Sequence, residues 1–203
     1  MADIVTLYPQ DPSFSGISFK TNTPTLTTET FSGKSRRTGY GTSFYSWQVK
    51  YPTLTAVESS IITGYLSQTY GPAFSFEIIL PEISHTNSLT PITTGATTNG
   101  AVSKGVKTVT LAGCGNAKTL IGGDYIKFAN HSKVYQVVGT ATSNSAGAMQ
   151  LYFSGSLVAD VPSGTVIEFD DVKFTAIVDA DVQQYDIGVG GFTSLSVSMR
   201  ETW

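Results

Sequence analysis

A chain of 203 residues with 40% hydrophobic side chains can bury the core of one or two domains, which excludes a disordered polymer. Charged residues make up only 13%, against roughly 25% in an average soluble domain, and so sparse a charge favours a chain that sits inside an assembly. Twelve Lys and Arg against fifteen Asp and Glu give a net charge of −3 and no basic surface for phosphates, so no nucleic-acid partner is expected.

The opening MADIVTLYPQDPSFSG lacks a basic region followed by an apolar run, so no secretory signal is expected. No window approaches the ~20 apolar residues of a membrane span, and no membrane insertion is expected. Strand patterns follow, at Ile17–Lys20, in part of Leu26–Phe31, and more clearly at Ser43–Tyr51, where Tyr45, Trp47, Val49 and Tyr51 share one face. Between them FSGKSRRTGYG, with Gly33, Gly39 and Gly41 and the basic cluster Lys34, Arg36 and Arg37, reads as a turn or loop.

The spacing then predicts one amphipathic helix over about 53–69, with Leu54, Val57, Ile61 and Tyr65, together with Ile62 and Leu66, on its apolar face. Thr55-x-x-Glu58 fits a capping box at its start, and Gly71-Pro72 stops it. Ala73–Pro81 alternates again as a strand. Residues 84–105, rich in Thr, Ser, Asn and Gly, read as a polar linker. Six short strands follow at Lys107–Leu111, Asp124–Phe128, Lys133–Val138, Ala148–Phe153, Thr165–Phe169 and Val172–Val178. After the Gly-rich turn Gly188–Gly191, a last strand places Leu195, Val197 and Met199 on one face.

The expected fold class is therefore mainly β: a β-sandwich with one amphipathic helix, plus a small inserted or appended β-barrel-like domain. Residues 1–83 form the sandwich part, 106–183 the small barrel-like domain, and 184–203 a closing strand returning to the first domain. A terminal strand with a clear apolar face needs a sheet to join, which favours that return.

Chemistry-bearing residues are few. GGDYIKFANHSKVYQVV concentrates Asp124, His131, two lysines and two tyrosines, and a carboxylate orienting an imidazole is a start on acid–base catalysis. No nucleophile motif accompanies it, and Asn130-His131-Ser132 reads more simply as a hairpin turn. His85 and His131 have no acidic partner at ligand spacing, and Cys114 is the sole cysteine, so no disulfide and no metal site is expected. Asp170, Asp171, Asp179, Asp181 and Asp186 lack the Gly and terminal Glu of a calcium loop and read as solvated turn residues. Tyr45, Trp47 and Tyr51 are either core or, in a carbohydrate-binding module, sugar-stacking rings. Lys34, Arg36 and Arg37 are the candidate interface, against the default of a solvated loop. No catalytic residue and no cofactor is expected.

The order of YSWQVKYP, the helix LTAVESSIITGYLSQTYG, a Phe-containing strand, a polar loop and GGDYIKF…KVYQVV…AGAMQLYFSGSL resembles the minor tail structural proteins of tailed bacteriophages, of the distal-tail or baseplate type. The resemblance implies a β-sandwich forming a ring around the tail axis, with the small domain projecting outward. It implies as partners the chain itself and other tail proteins, and a virion location after assembly in the host cytoplasm. The alternatives are a carbohydrate-binding module whose second domain recognises host surface glycan, and a small hydrolase using His131 and Asp124.

Overall fold

The computed structural model describes residues 6–39, 41–93, 95–180, 184–188 and 191–203. Asp181, and Val189-Gly190 of the glycine-rich turn, lie outside the described residues. The chain is mainly β, with the strands gathered into several sheets. In chain order they begin with β1 (Gly16–Asn22), β2 (Thr25–Glu29), β3 (Ser35–Gly39) and β4 (Phe44–Lys50). Helix α1 (Ala56–Gln68) and β5 (Phe76–Ile79) follow. Then come the short strands β6 (Thr97–Thr98), β7 (Thr108–Ala112), β8 (Thr119–Leu120), β9 (Tyr125–Phe128) and β10 (Val134–Gln136). The remainder are β11 (Ala141–Thr142), β12 (Met149–Tyr152), β13 (Ile167–Glu168), β14 (Lys173–Val178), β15 (Tyr185–Ile187) and β16 (Thr193–Glu201). Two compact units result, one from residues 1–21, 44–80 and 173–203, the other from 22–43 and 81–172.

The first unit is organised by one sheet, ordered β1-β4-β16-β14-β5, with β15 paired to β16. Alternation sets its faces: Tyr45, Trp47 and Val49 of β4 and Leu195, Val197 and Met199 of β16 are buried, while Ser194, Ser196, Ser198 and Arg200 are exposed. The register pairs Val197 with Val49 and Met199 with Trp47, and a slip by one residue would turn every one of these side chains to the wrong face. Phe174 of β14 meets Trp47 edge-on at 5.5 Å, and Phe19 stacks on Trp47 at 5.9 Å, so aromatic rings fill much of this core. The buried Glu201 ends β16 by accepting a hydrogen bond from the Tyr45 N–H at 3.2 Å.

Helix α1 starts on the expected capping box. Thr55 Oγ1 accepts from the Glu58 N–H at 3.4 Å, and the Glu58 carboxylate accepts from the Thr55 N–H at 2.8 Å. The Thr55 N–H, together with the Thr55 hydroxyl that also donates to the carboxylate at 2.8 Å, holds the Glu58 carboxyl below its ordinary range. The apolar face differs from the expectation: Leu54, Ile62, Tyr65 and Leu66 are buried, whereas Val57 and Ile61 are 73% and 50% exposed. At about 100° per residue, the apolar positions 57, 61, 62, 65 and 66 span roughly half the helix circumference. One face of packing covers only the half that holds Ile62, Tyr65 and Leu66.

The second unit has sheets β10-β9-β13, β12-β7-β6 and β11-β8, together with the ribbon β2-β3. None closes into a barrel, which corrects the barrel-like expectation: strands of two to five residues are too short to wrap round, and they pack instead about one cluster that includes Leu111, Ile126, Phe128, Tyr135, Leu151 and Phe153. Residues 84–105 are not a linker. Ile92, Ala96 and Thr98 are buried and β6 pairs with β7, so this polar segment is an integral wall of the unit. Its hydrogen bonds supply what its composition lacks, as the Asp124 contacts below make plain. The unit also ends earlier than expected, because β14 lies between β16 and β5 in the first unit's sheet.

Candidate interaction site

The basic cluster does not lie in an irregular loop. Ser35–Gly39 is strand β3, antiparallel to β2, with Thr28 opposite Arg36 and Thr27 opposite Arg37. The turn is confined to Thr30–Lys34: the Gly33 N–H donates to Thr30 O at 2.8 Å, and Thr30 Oγ1 accepts from the Lys34 N–H at 3.2 Å. Gly33 sits at φ +76°, where a side chain would strain the backbone. FSGKSRR looked irregular because Gly, Ser and Lys mark a turn, while the strand that follows it has no apolar alternation to betray it.

Every residue from 23 to 39 is exposed, on both faces of the ribbon. Phe31 stands fully exposed at the tip. Among the described residues, the side chains of Arg36 and Arg37 make no ion pair, and β2 and β3 pair only with each other. An isolated two-stranded ribbon is marginal in water, and its outer edges offer open backbone groups to another chain. Phe31 escaped the sequence reading; its signal is a lone aromatic between Thr30 and Ser32-Gly33.

A groove of about 620 Å³ opens elsewhere on the second unit, floored by Ile92 and Ile167, flanked by Pro91 and Phe169, and rimmed by Glu168 and Asp170. At the rim His85 Nδ1 lies 3.0 Å from Asp170 Oδ1 and 3.4 Å from Asp171 Oδ1. The acidic partners of His85 thus exist, corrected from the spacing-based expectation because they come from the far end of the unit. Among the described residues, no group of three or more His, Cys, Asp or Glu side chains is arranged to hold a metal ion. Asp179 lies 3.5 Å from Arg200 Nε in an exposed ion pair.

Asp124 and His131 have separate work. Asp124 is buried, and its carboxylate accepts from Thr86 Oγ1 at 2.7 Å, Ile121 N–H at 3.0 Å and Asn87 N–H at 3.1 Å. His131 sits in the β9–β10 turn, with Nε2 2.9 Å from the Tyr135 hydroxyl and Nδ1 2.9 Å from Asn130 Oδ1. The Tyr135 oxygen accepts from the Val158 N–H at 3.1 Å, leaving its own O–H to donate to Nε2. Burial pushes the imidazole below its ordinary value, and Lys133 and Lys127 push the same way, so the network closes around a neutral ring. Both residues serve as structural ties.

Tyr45, Trp47 and Tyr51 are also accounted for: all are buried, and the Tyr51 hydroxyl donates to the Tyr8 hydroxyl at 2.9 Å. None presents a ring face to a sugar. No protein-family model matches the chain, and no protein of curated function is significantly similar to it.

Proposed function

We propose that this chain is a structural subunit of a bacteriophage tail tip or baseplate, acting by assembly into a ring around the tail axis and by docking neighbouring tail proteins. The observation that carries the assembly reading is the β2–β3 ribbon, exposed along its whole length, with Phe31 at its tip and Arg36 and Arg37 in no ion pair among the described residues. A ribbon of that kind has its apolar and charged groups aimed outward, where only another molecule can use them. The low charge of the chain, 13%, and the exposed Val57 and Ile61 of α1 support the same reading. The tail assignment rests on the resemblance in the order of its segments. The glycan-binding alternative loses its aromatic platform, because Tyr45, Trp47 and Tyr51 lie in the core.

The test is light scattering on the purified chain over a wide concentration range, followed by electron microscopy of the largest species. A closed ring or higher oligomer is expected, because repeated head-to-tail contacts close by rotation. A strict monomer at high concentration, alone and mixed with tail components, would refute the reading.

A further inference from the structure

We propose that the β2–β3 ribbon is an arm whose tip docks in the Ile92–Phe169 groove of a second copy of the chain, an inference that rests on the assembly reading above and names its contact. The arm has an apolar anchor beside a cationic stem. Phe31 is fully exposed, and Lys34, Arg36 and Arg37 follow within six residues of it. The groove has the opposite make-up, an apolar floor of Ile92 and Ile167 with Phe169 beside it, under a carboxylate rim. Its volume of about 620 Å³ is ample for a single aromatic side chain, since pockets of roughly 300–1,000 Å³ take whole small ligands.

Charge sets the partner. The arm, residues 23–39, carries three cations and one anion, Glu29, a net +2. The other nine cations and fourteen anions leave −5 on the rest of the chain. At the groove, the carboxylates of Glu168, Asp170 and Asp171 outnumber Lys127, which lies opposite Glu168 in the β13–β9 register. These three carboxylates and the one lysine sum to −2. Arm and rim are therefore complementary in sign and in size, and this chain supplies both halves of the contact. The arm does not occupy its own groove, since its residues are exposed throughout. An arm on one copy and a groove on the next make a heterologous junction, the kind that generates rings or filaments rather than two-fold dimers.

Sedimentation velocity over a concentration series, at low and high salt, reads the junction directly. Phe31→Ala and the double variant Arg36→Glu, Arg37→Glu should each weaken self-association at least tenfold, as should Asp170→Arg on the groove side. All of these positions are exposed, so the fold survives the changes. Mixing the Arg36→Glu, Arg37→Glu protein with the Asp170→Arg protein leaves one intact arm and one intact groove, and should give a dimer that grows no further. Self-association unchanged in the arm variants overturns the arm while leaving the assembly reading standing. Loss in the arm variants with none in Asp170→Arg overturns the groove as the receptor. A wild-type chain that stays monomeric at every concentration overturns both this inference and the assembly reading.

Discussion

Replacing Asp124 by Ala should destabilise the second unit by ~3 kcal/mol, and the figure follows from the donors it would orphan. Three hydrogen bonds converge on this carboxylate, from Thr86 Oγ1, Ile121 N–H and Asn87 N–H. A buried donor left without a partner costs about 1–3 kcal/mol. Ile121 and Thr86 are half-buried and Asn87 is exposed, so water recovers part of what each loses and each of the three donors costs near the low end of that range. Against a typical domain stability of about 5–15 kcal/mol the loss is large, and it lowers the melting temperature by about 6–12 °C at roughly 2–4 °C per kcal/mol. Asp124→Asn discriminates further. The amide oxygen can replace Oδ2, which serves both Thr86 and Ile121, but its NH₂ then faces the Asn87 N–H, donor against donor. The Asn variant should therefore fall between wild type and Ala. Urea denaturation supplies the free energies, and amide exchange at Ile121 and Asn87 reports the local opening. A stability loss below about 1 kcal/mol in Asp124→Ala would refute the reasoning and reopen a chemical role for the carboxylate.

Two further outcomes are expected. Burial pushes the Tyr51 hydroxyl up to about 12, and burial beside Tyr51 raises Tyr8 further still, both above the value near 10 of an unfolded chain. A raised folded value means the native state holds the proton longer, so this contribution is intact below about pH 10 and is lost as the pH rises towards 12. Tyr8 and Tyr51 should therefore ionise only together with unfolding; phenolate absorbance of the wild type and of Tyr8→Phe and Tyr51→Phe variants, followed alongside circular dichroism, checks this, and their titration near pH 10 in a folded chain would contradict it. Separately, Gly122→Ala should destabilise by about 1–3 kcal/mol, because a Cβ there would lie 2.8 Å from Gly139 N and 3.0 Å from its Cα. Backbone cannot step aside as a side-chain tip can, and a melting temperature equal to wild type would show that the close approach is not maintained in solution.

What could be read from the sequence were the features that local physics decides alone. The period-two run through Tyr45, Trp47 and Val49, the capping box at Thr55 and the turn at Asn130-His131-Ser132 depend on neighbours within a few residues, and each is present in the structure. Features decided at long range were misread. Val57 and Ile61 match the helical period as well as Ile62 does, and only the arrangement of the sheet determines which of them is covered. Residues 84–105 look like a linker because their cohesion lies in bonds to partners elsewhere, as when Thr86 and Asn87 hold Asp124. His85 and Asp170 are 85 residues apart, so no spacing rule joins them.

Two polar stretches of the chain have opposite fates, and the contrast supports the proposed interface. Around Asp124 and His131 the polar groups are turned inward and answered one by one, by Thr86, Ile121 and Asn87 for the carboxylate and by Tyr135 and Asn130 for the imidazole. Satisfied groups of this kind hold a fold in place. Along Thr25–Gly39 the groups are turned outward, and among the described residues Phe31, Arg36 and Arg37 find no partner. Ordering those residues costs conformational entropy that their own contacts do not repay. In a protein with so few charges, three cations gathered on one exposed ribbon are a concentrated resource, and burial against an acidic groove would use both the cations and the ring beside them. Unanswered polarity, more than a high density of polar residues, is what separates an interface from a well-bonded turn.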